Sequence, residues 1–370
     1  MRLLIAGGGT GGHLFPGIAV AEEFLSRDPA NEVLFVGTER GIEARVLPRS
    51  GYRLETIAAA GIRGKSRLSS LKGLGMLLYA YAQSRRILKE FRPDLVLGVG
   101  GYASGPVVLA ARGMGIRRFI HEQNAIPGFT NKTLARFVEK AFISLDESRT
   151  YFEGSTTVLT GNPLRRQILD QVAAGGGSGR VDGEIRLLVF GGSAGAHSVN
   201  MAMCAALGHL GEFRERLRIT HQTGEADCAE VRTAYEGAGF RAEVVPFIDN
   251  MAAAYAGADL VVCRAGATTI AEVTATGKAC IFIPYPYAVD DHQRRNAEAL
   301  LKKGAGYMLL ERELSGESLA RQIGDLMASP EQLETTGSCA RSLAMLDAAK
   351  MIVDEMIKNQ AQGTRLKAQE

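Results

Sequence analysis

No stretch of this 370-residue chain approaches the ~18 consecutive apolar residues that a membrane-crossing helix needs, so any contact with a bilayer is expected to be peripheral. The apolar run at 3–6 is too short for the core of a secretion signal and leads straight into glycines. Cysteine is scarce and odd in number, with five residues (Cys204, Cys228, Cys263, Cys280 and Cys339) and no CxxC pair. That excludes a disulfide framework or a zinc site and leaves buried free thiols of a reducing compartment as the expectation. Excess charge of one sign is also missing, because the net charge is only +3 and charged residues make up 22%. The composition is therefore that of an ordinary globular chain. No short-period repeat is visible.

What the chain has in quantity is glycine, 44 residues of it, concentrated in turns after apolar runs. Strands are expected at 2–6, 32–37, 54–57, 95–99, 119–121 and 140–144, with helices running to about 26 and over 68–90. After a glycine-rich stretch at 173–183 the theme restarts, with strands at 186–190, 218–222, 242–246, 260–263 and 279–284. Near-continuous apolar strands alternating with helices predict two doubly wound α/β domains with parallel sheets. We place the first at 1–162 and the second at 163–340. A helix over 340–358 is expected to pack back on the first, and the tail 359–370 to be loose.

Each domain opens with strand, glycine loop and helix. The first loop, Gly7-x-Gly9-x-x-Gly12, has the literal spacing of a dinucleotide fingerprint, but the acidic residue that reads a ribose is misplaced: Glu32 precedes the second strand and Glu39 is late. The second is GGSAGA at 191–196. Such loops bring backbone N–H groups to a ligand at the C-terminal ends of the strands, here in a cleft faced by both sheets. His13 begins the first helix, where the dipole disfavours a cation; it either acts as a neutral base or shapes the loop. The segment RAGATTIAE opens a third helix start that suits a diphosphate, with Thr268 or Thr269 as hydroxyl donors. Glu272 lies one turn below, either as a ribose-binding carboxylate or as a solvated helix charge. Gln293 and Asn296 share a helix face, either for sugar hydroxyls or as plain polar surface. Asp290 and Asp291 are expected to cap that helix, since no third acid completes a metal site.

Basic residues cluster in 61–92, where Arg63, Lys65, Arg67, Lys72, Arg85, Arg86, Lys89 and Arg92 outnumber the single acid Glu90. That window carries +7 and the remainder −4. Lys72, Leu74, Leu78, Arg85 and Arg86 form either a basic, apolar membrane face or a solvated helix face over core leucines. Nucleic-acid binding fits poorly, as no binding module is present.

The segments GGGTGGHLFPGIAVAEE, LGVGGYASGP, HEQNAIPGFTNK, GNPLR, GGSAGA, RAGATTIAE and DDHQRRNA, in this order over nearly the whole chain, resemble glycosyltransferase family 28. More closely, they are similar to its bacterial enzymes that complete the lipid-linked peptidoglycan precursor. The resemblance implies a GT-B fold and inverting transfer of GlcNAc from UDP-GlcNAc to the MurNAc 4-hydroxyl of lipid I, giving lipid II. Neither cofactor nor metal is implied. It also implies a peripheral location on the cytoplasmic face of the inner membrane, an anionic membrane surface, and cell-wall synthesis or division proteins as partners. Donor contacts carried over are Thr10, Gly11, Gly12, Asn124, Arg165, Ser193, Ile248 (whose backbone reads uracil), Ala267, Thr268, Thr269, Ile270, Ala271, Glu272 and Gln293. His13 and Glu122 fall on positions of acceptor chemistry. Two departures stand out: Ala194 replaces a frequent glutamine, and Ala265 the usual second residue of its motif. The alternatives are a UDP-GlcNAc 2-epimerase-like isomerase, a nicotinamide-dependent oxidoreductase resting on the first loop, and a non-catalytic scaffold that binds donor and membrane.

Overall fold

The structure, a computed structural model, describes residues 1–59, 67–175 and 183–358, with 67–74 described as backbone only. Arg63 and Lys65, the middle of the glycine-rich stretch and the tail 359–370 lie outside the described residues, as do the side chains of Arg67, Lys72 and Leu74. Two compact units result: Met1–Arg165 together with the segment from Met345, and Arg166–Ala344.

In unit 1, strands β1 (Arg2–Gly7), β2 (Glu32–Gly37), β3 (Arg53–Thr56), β4 (Leu95–Gly100), β5 (Arg117–Glu122), β6 (Lys140–Ile143) and β7 (Thr157–Leu159) form one parallel sheet in the order β3-β2-β1-β4-β5-β6-β7. Alternation along each strand feeds two cores. Leu3, Ile5, Phe35 and Leu97 pack with Leu14, Val20 and Phe24 of the helix Gly11–Arg27. Leu4, Val36 and Val96 pack on the other face with Ile87 and Leu88 of the helix Arg67–Phe91. A sheet apolar on both faces has to be covered on both, which is why these strands read as continuous hydrophobic runs.

The helix Ala348–Ile357 joins the first core through Ile352, Val353 and Met356. Arg27–Asp354 (3.0 Å) and Lys140–Glu355 (2.6 Å) pin it from either side. The single helix expected over 340–358 is in fact two, because the helix Pro330–Ser342 stops and Leu343 turns away before the next begins.

In unit 2, β8 (Ile185–Phe190), β9 (Leu217–Gln222), β10 (Arg241–Val245), β11 (Leu260–Cys263), β12 (Ala279–Phe282) and β13 (Tyr307–Met308) form a second parallel sheet, ordered β10-β9-β8-β11-β12-β13. Sheet order reverses at β1 and at β8, the switch points where open α/β sheets bind ligands beyond their strand C-termini. The two short edge strands β7 and β13 were not anticipated, for neither carries enough apolar sequence to signal itself. All five cysteines are free thiols, but only Cys263 and Cys280 are buried; the other three are half-buried, a correction to the expectation.

Candidate active site

The first glycine loop closes on a side chain that spacing does not reveal. Glu43, 1% exposed, accepts from Gly9 N (2.7 Å), Thr38 N (2.9 Å) and Thr38 Oγ1 (3.0 Å). Gly8, at φ +140°, must be glycine, since a β-carbon there would lie 2.4 Å from that carboxyl group. The Gly9 N–H is thus already taken by a side chain of the protein itself. Though spaced as a dinucleotide fingerprint, the loop therefore has one N–H fewer to offer a cofactor pyrophosphate than the oxidoreductase reading needs.

Thr10 is exposed and takes the N-cap position of the helix Gly11–Arg27 without a capping bond; Gly11, Gly12 and His13 form its first turn. His13 is half-buried, with Nδ1 2.9 Å from Gln123 Oε1. Gln123 follows β5, so the helix start and the end of β5 meet through one amide. Glu122, 1% exposed, spends both oxygens on its own loop. Oε1 accepts from Asn124 N (3.0 Å) and Nδ2 (3.3 Å), and Oε2 from Gly128 N (3.1 Å) and Asn131 Nδ2 (2.9 Å). Asn124 is therefore oriented by Glu122. The Arg165 guanidinium lies over the Phe15 ring, 5.4 Å from its centroid. Behind Gln123, burial drives the wholly buried His121 from 6.5 down to about 4, so it stays neutral.

In unit 2 the expected donor residues lie in the loops and helices that follow the C-terminal ends of β8, β10, β11 and β12. The second loop follows β8, with Ser193 and Ala194 exposed. It rests on the turn after β9: Gly195, at φ +78°, passes so close that a β-carbon would fall 1.9 Å from Thr223 O. Gln222, 3% exposed, bridges the neighbouring loops, donating from Nε2 to Gly192 O (2.8 Å) and accepting from Ile248 N (2.8 Å). With its N–H taken, Ile248 has its backbone carbonyl left to offer a ligand.

The helix Ala267–Thr276 starts after Gly266 with no side-chain cap, leaving its first N–H groups to a ligand. Ala267 and Ile270 are buried; Thr268, Thr269 and Ala271 are half-buried, and Thr268 Oγ1 is buried without a partner. Glu272 is 4% exposed and accepts from the Tyr255 hydroxyl at 3.2 Å, so it is not a solvated helix charge. Arg264, buried, donates to Ile283 O (3.1 Å), Pro284 O (3.2 Å) and Ser198 Oγ (3.0 Å), locking the ends of β11 and β12 to the helix His197–Ala206.

Gln293 accepts from Tyr285 N at 3.0 Å, whereas Asn296 is fully buried and donates to Ala265 O (3.3 Å), so the two do not share a binding face. The expected aspartate caps are corrected too. Asp290 and Asp291 both have φ 54°, and neither side chain caps the helix His292–Leu301, because capping needs extended backbone there. Glu43, Gln123, Gln222 and Arg264 all escaped the sequence reading. Two of them, Gln123 and Arg264, stand inside quoted motifs, which was the available signal; Glu43 and Gln222, far along the chain from the loops they brace, had none.

Two surfaces lie away from these residues. On the helix Arg67–Phe91, Leu78 (62%) and Tyr79 (59%) are exposed on the face that carries Arg85, Arg86 and Lys89, while Ala80, Ile87 and Leu88 are buried. A cavity of about 830 Å³ sits in unit 2 at the strand N-termini, lined by Arg186, Asp259, Lys278 and Arg341 among others. Its cations are engaged: Lys278 donates to Ala258 O (2.7 Å), Arg186 pairs with Asp259 (3.3 Å) and Arg341 bonds Ala275 O. It is a cluster that neutralises helix C-termini. Among the described residues no three His, Cys, Asp or Glu side chains converge as metal ligands do, and no helix is long and apolar enough to cross a membrane.

Comparison with known proteins adds to this geometry. The description "Glycosyltransferase family 28 N-terminal domain" matches residues 3–143, and "Glycosyltransferase family 28 C-terminal domain" matches 186–352. A Geotalea uraniireducens protein named UDP-N-acetylglucosamine–N-acetylmuramyl-(pentapeptide) pyrophosphoryl-undecaprenol N-acetylglucosamine transferase is 72% identical, covering 98% of this chain and 99% of its own. One of the same name from Geobacter metallireducens is 70% identical over 96% and 98%. The crystal structure of Acinetobacter baumannii MurG is similar with TM-score 0.79 and 34% identity, covering 96% of this chain and 99% of that one. A UDP-GlcNAc 2-epimerase from Neisseria meningitidis is similar with TM-score 0.65 but 12% identity, over 97% and 100%, a likeness of fold alone.

Proposed function

Because the chain belongs to glycosyltransferase family 28, we propose that it transfers GlcNAc with inversion from UDP-GlcNAc to the MurNAc 4-hydroxyl of lipid I, giving lipid II. The observation that carries this reading is the helix Ala267–Thr276, with its uncapped N-terminus and buried Glu272. Helix N–H groups take the diphosphate, and Glu272 accepts the ribose hydroxyls. Ile248 reads the base, while Ser193 and Gln293 contact phosphate and sugar. Thr10, Gly11, Gly12, Asn124 and Arg165 are assigned to the donor on the resemblance. Sugar and acceptor identity rest on the names of relatives that match nearly end to end.

The reaction needs a proton acceptor and a place for charge. His13, in the first turn of its helix, removes the proton of the acceptor hydroxyl as that oxygen attacks C1 of the sugar from the face opposite UDP. The charge gained by the departing UDP falls on the N–H groups at the start of the donor helix, which is stabilisation specific to the transition state. Glu122 serves as a positioning residue, since four donors already hold its carboxylate. The exposed Leu78 and Tyr79 with Arg85 and Arg86 form the face that meets the anionic inner leaflet, where the lipid acceptor resides.

Labelled GlcNAc supplied as UDP-GlcNAc with a short-chain lipid I analogue is expected to yield acceptor-dependent product. Formation of UDP-ManNAc without acceptor would instead establish the epimerase reading.

A further inference from the structure

We propose that Gln123 is a positioning residue that fixes His13 with its proton on Nδ1 and so leaves Nε2 as the proton acceptor. The inference rests on the reading of His13 as the base and adds which of its nitrogens acts and what decides it.

Gln123 is 1% exposed, and its Nε2 lies 3.0 Å from Val99 O and 3.4 Å from His121 O. An oxygen in that place would face two carbonyl oxygens, so Val99 and His121 dictate which end of the amide points inward. Oε1 is then the atom 2.9 Å from His13 Nδ1. An amide oxygen only accepts, so Nδ1 must carry the proton, and a neutral imidazole protonated there has a bare Nε2. The ring rests on Gly100, where a β-carbon would come within 2.9 Å of His13 Nδ1 and Cε1.

The second N–H of the Gln123 amide faces His121 Nδ1 at 3.1 Å, so His121 accepts there and holds its own proton on Nε2. That proton has Ser144 Oγ at 3.1 Å and Gly161 O at 3.3 Å. Every donor in the series His13, Gln123, His121 points toward the core, and among the described residues no hydrogen bond engages the imidazole nitrogen at its outer end, His13 Nε2. Burial keeps His121 neutral, which preserves the direction; a protonated His121 would confront the amide with a second donor.

Other ionisable groups on the surrounding elements are committed elsewhere or lie outside the series. Glu43 is bound to Gly9 and Thr38, Glu122 to Asn124, Gly128 and Asn131, and Arg165 lies over Phe15.

The test is histidine ¹⁵N NMR on the full chain, paired with steady-state kinetics. In the wild type, above the histidine titration range, His13 should show a proton on Nδ1. Gln123→Leu should move it to Nε2, the tautomer a free imidazole side chain favours. The same variant should lower kcat by about tenfold or more, with a much smaller change in the KM for UDP-GlcNAc, since base, ribose and diphosphate are assigned to unit 2. Gln123→Glu, carrying a proton on the oxygen that faces Val99 O and His121 O, keeps an acceptor for Nδ1–H and should retain the wild-type tautomer and more of the turnover. A wild-type His13 with its proton on Nε2, or a Gln123→Leu enzyme with unaltered tautomer and kcat, overturns the inference. An intact rate in His13→Ala would sink the reading of His13 as base instead, whatever the NMR shows.

Discussion

The two glycine loops share one grammar, strand, loop and helix, but they close on different side chains. In unit 1 the loop wraps the carboxylate of Glu43, which takes the Gly9 N–H. In unit 2 the loop rests on the amide of Gln222, which takes Gly192 O and reaches across to Ile248 N. The carboxyl group beneath the first loop takes one of its N–H groups, whereas the amide beneath the second takes a carbonyl and leaves that loop's N–H groups to an anion. Spacing of glycines says that a loop can approach a ligand; the side chain filling its underside decides which backbone groups are left for that ligand.

This contrast can be broken by removing each brace. Glu43→Ala orphans two N–H groups and a hydroxyl and should lower unfolding stability by about 3 kcal/mol. Turnover should fall with it, while UDP affinity, a property of unit 2, persists; equal loss of both, read by denaturation and nucleotide titration, would erase the distinction.

Acid should strain both units alike. His121 in unit 1 and His221 in unit 2 are each held by burial near a pKa of about 4, against 6.5 when free. Each is neutral when folded but takes up a proton below about 6.5 once unfolded. Their contribution is therefore complete above that pH and is lost as pH falls toward about 4, by about 3 kcal/mol each. Denaturation midpoints between pH 7 and 4 should show it, and His221→Gln should flatten the slope.

Gln222→Leu frees the two loops it joins and should weaken UDP binding about tenfold, roughly 1.4 kcal/mol. Calorimetry would check this, and wild-type affinity would mean the loops hold themselves. The smallest effect is expected at the membrane face, where Arg85→Glu with Arg86→Glu removes about 1 kcal/mol per cation at an anionic surface. Unchanged partitioning onto anionic vesicles at low salt would assign these residues to plain solvated surface.

Much of this was legible in the sequence, for reasons that differ by element. β1, β2, β4 and β11 announced themselves because strands buried on both faces are continuously apolar. β7 and β13, short and at sheet edges, carry no such signal. The donor helix was readable from RAGATTIAE, since a glycine followed by small residues after a buried strand has few other uses. The burial of Glu272 was not, because it depends on Tyr255, 17 residues away in sequence. Gln123 sat inside a recognised motif, yet its role follows only from Val99 and His121 placing its amide. Asp290 and Asp291 misled because a cap needs a backbone conformation that residue type alone does not fix.

The proposed general base lies in unit 1, and the groups that hold the base, ribose and diphosphate of the nucleotide lie in unit 2. The most direct test of that division is GlcNAc transfer to a lipid I analogue by wild type, His13→Ala and Glu272→Ala in one assay, reading kcat and the KM for UDP-GlcNAc. The account predicts that His13→Ala lowers kcat by about 100-fold or more at near-normal KM, and that Glu272→Ala raises KM about tenfold or more at near-normal kcat. Both substitutions acting on the same parameter would contradict it.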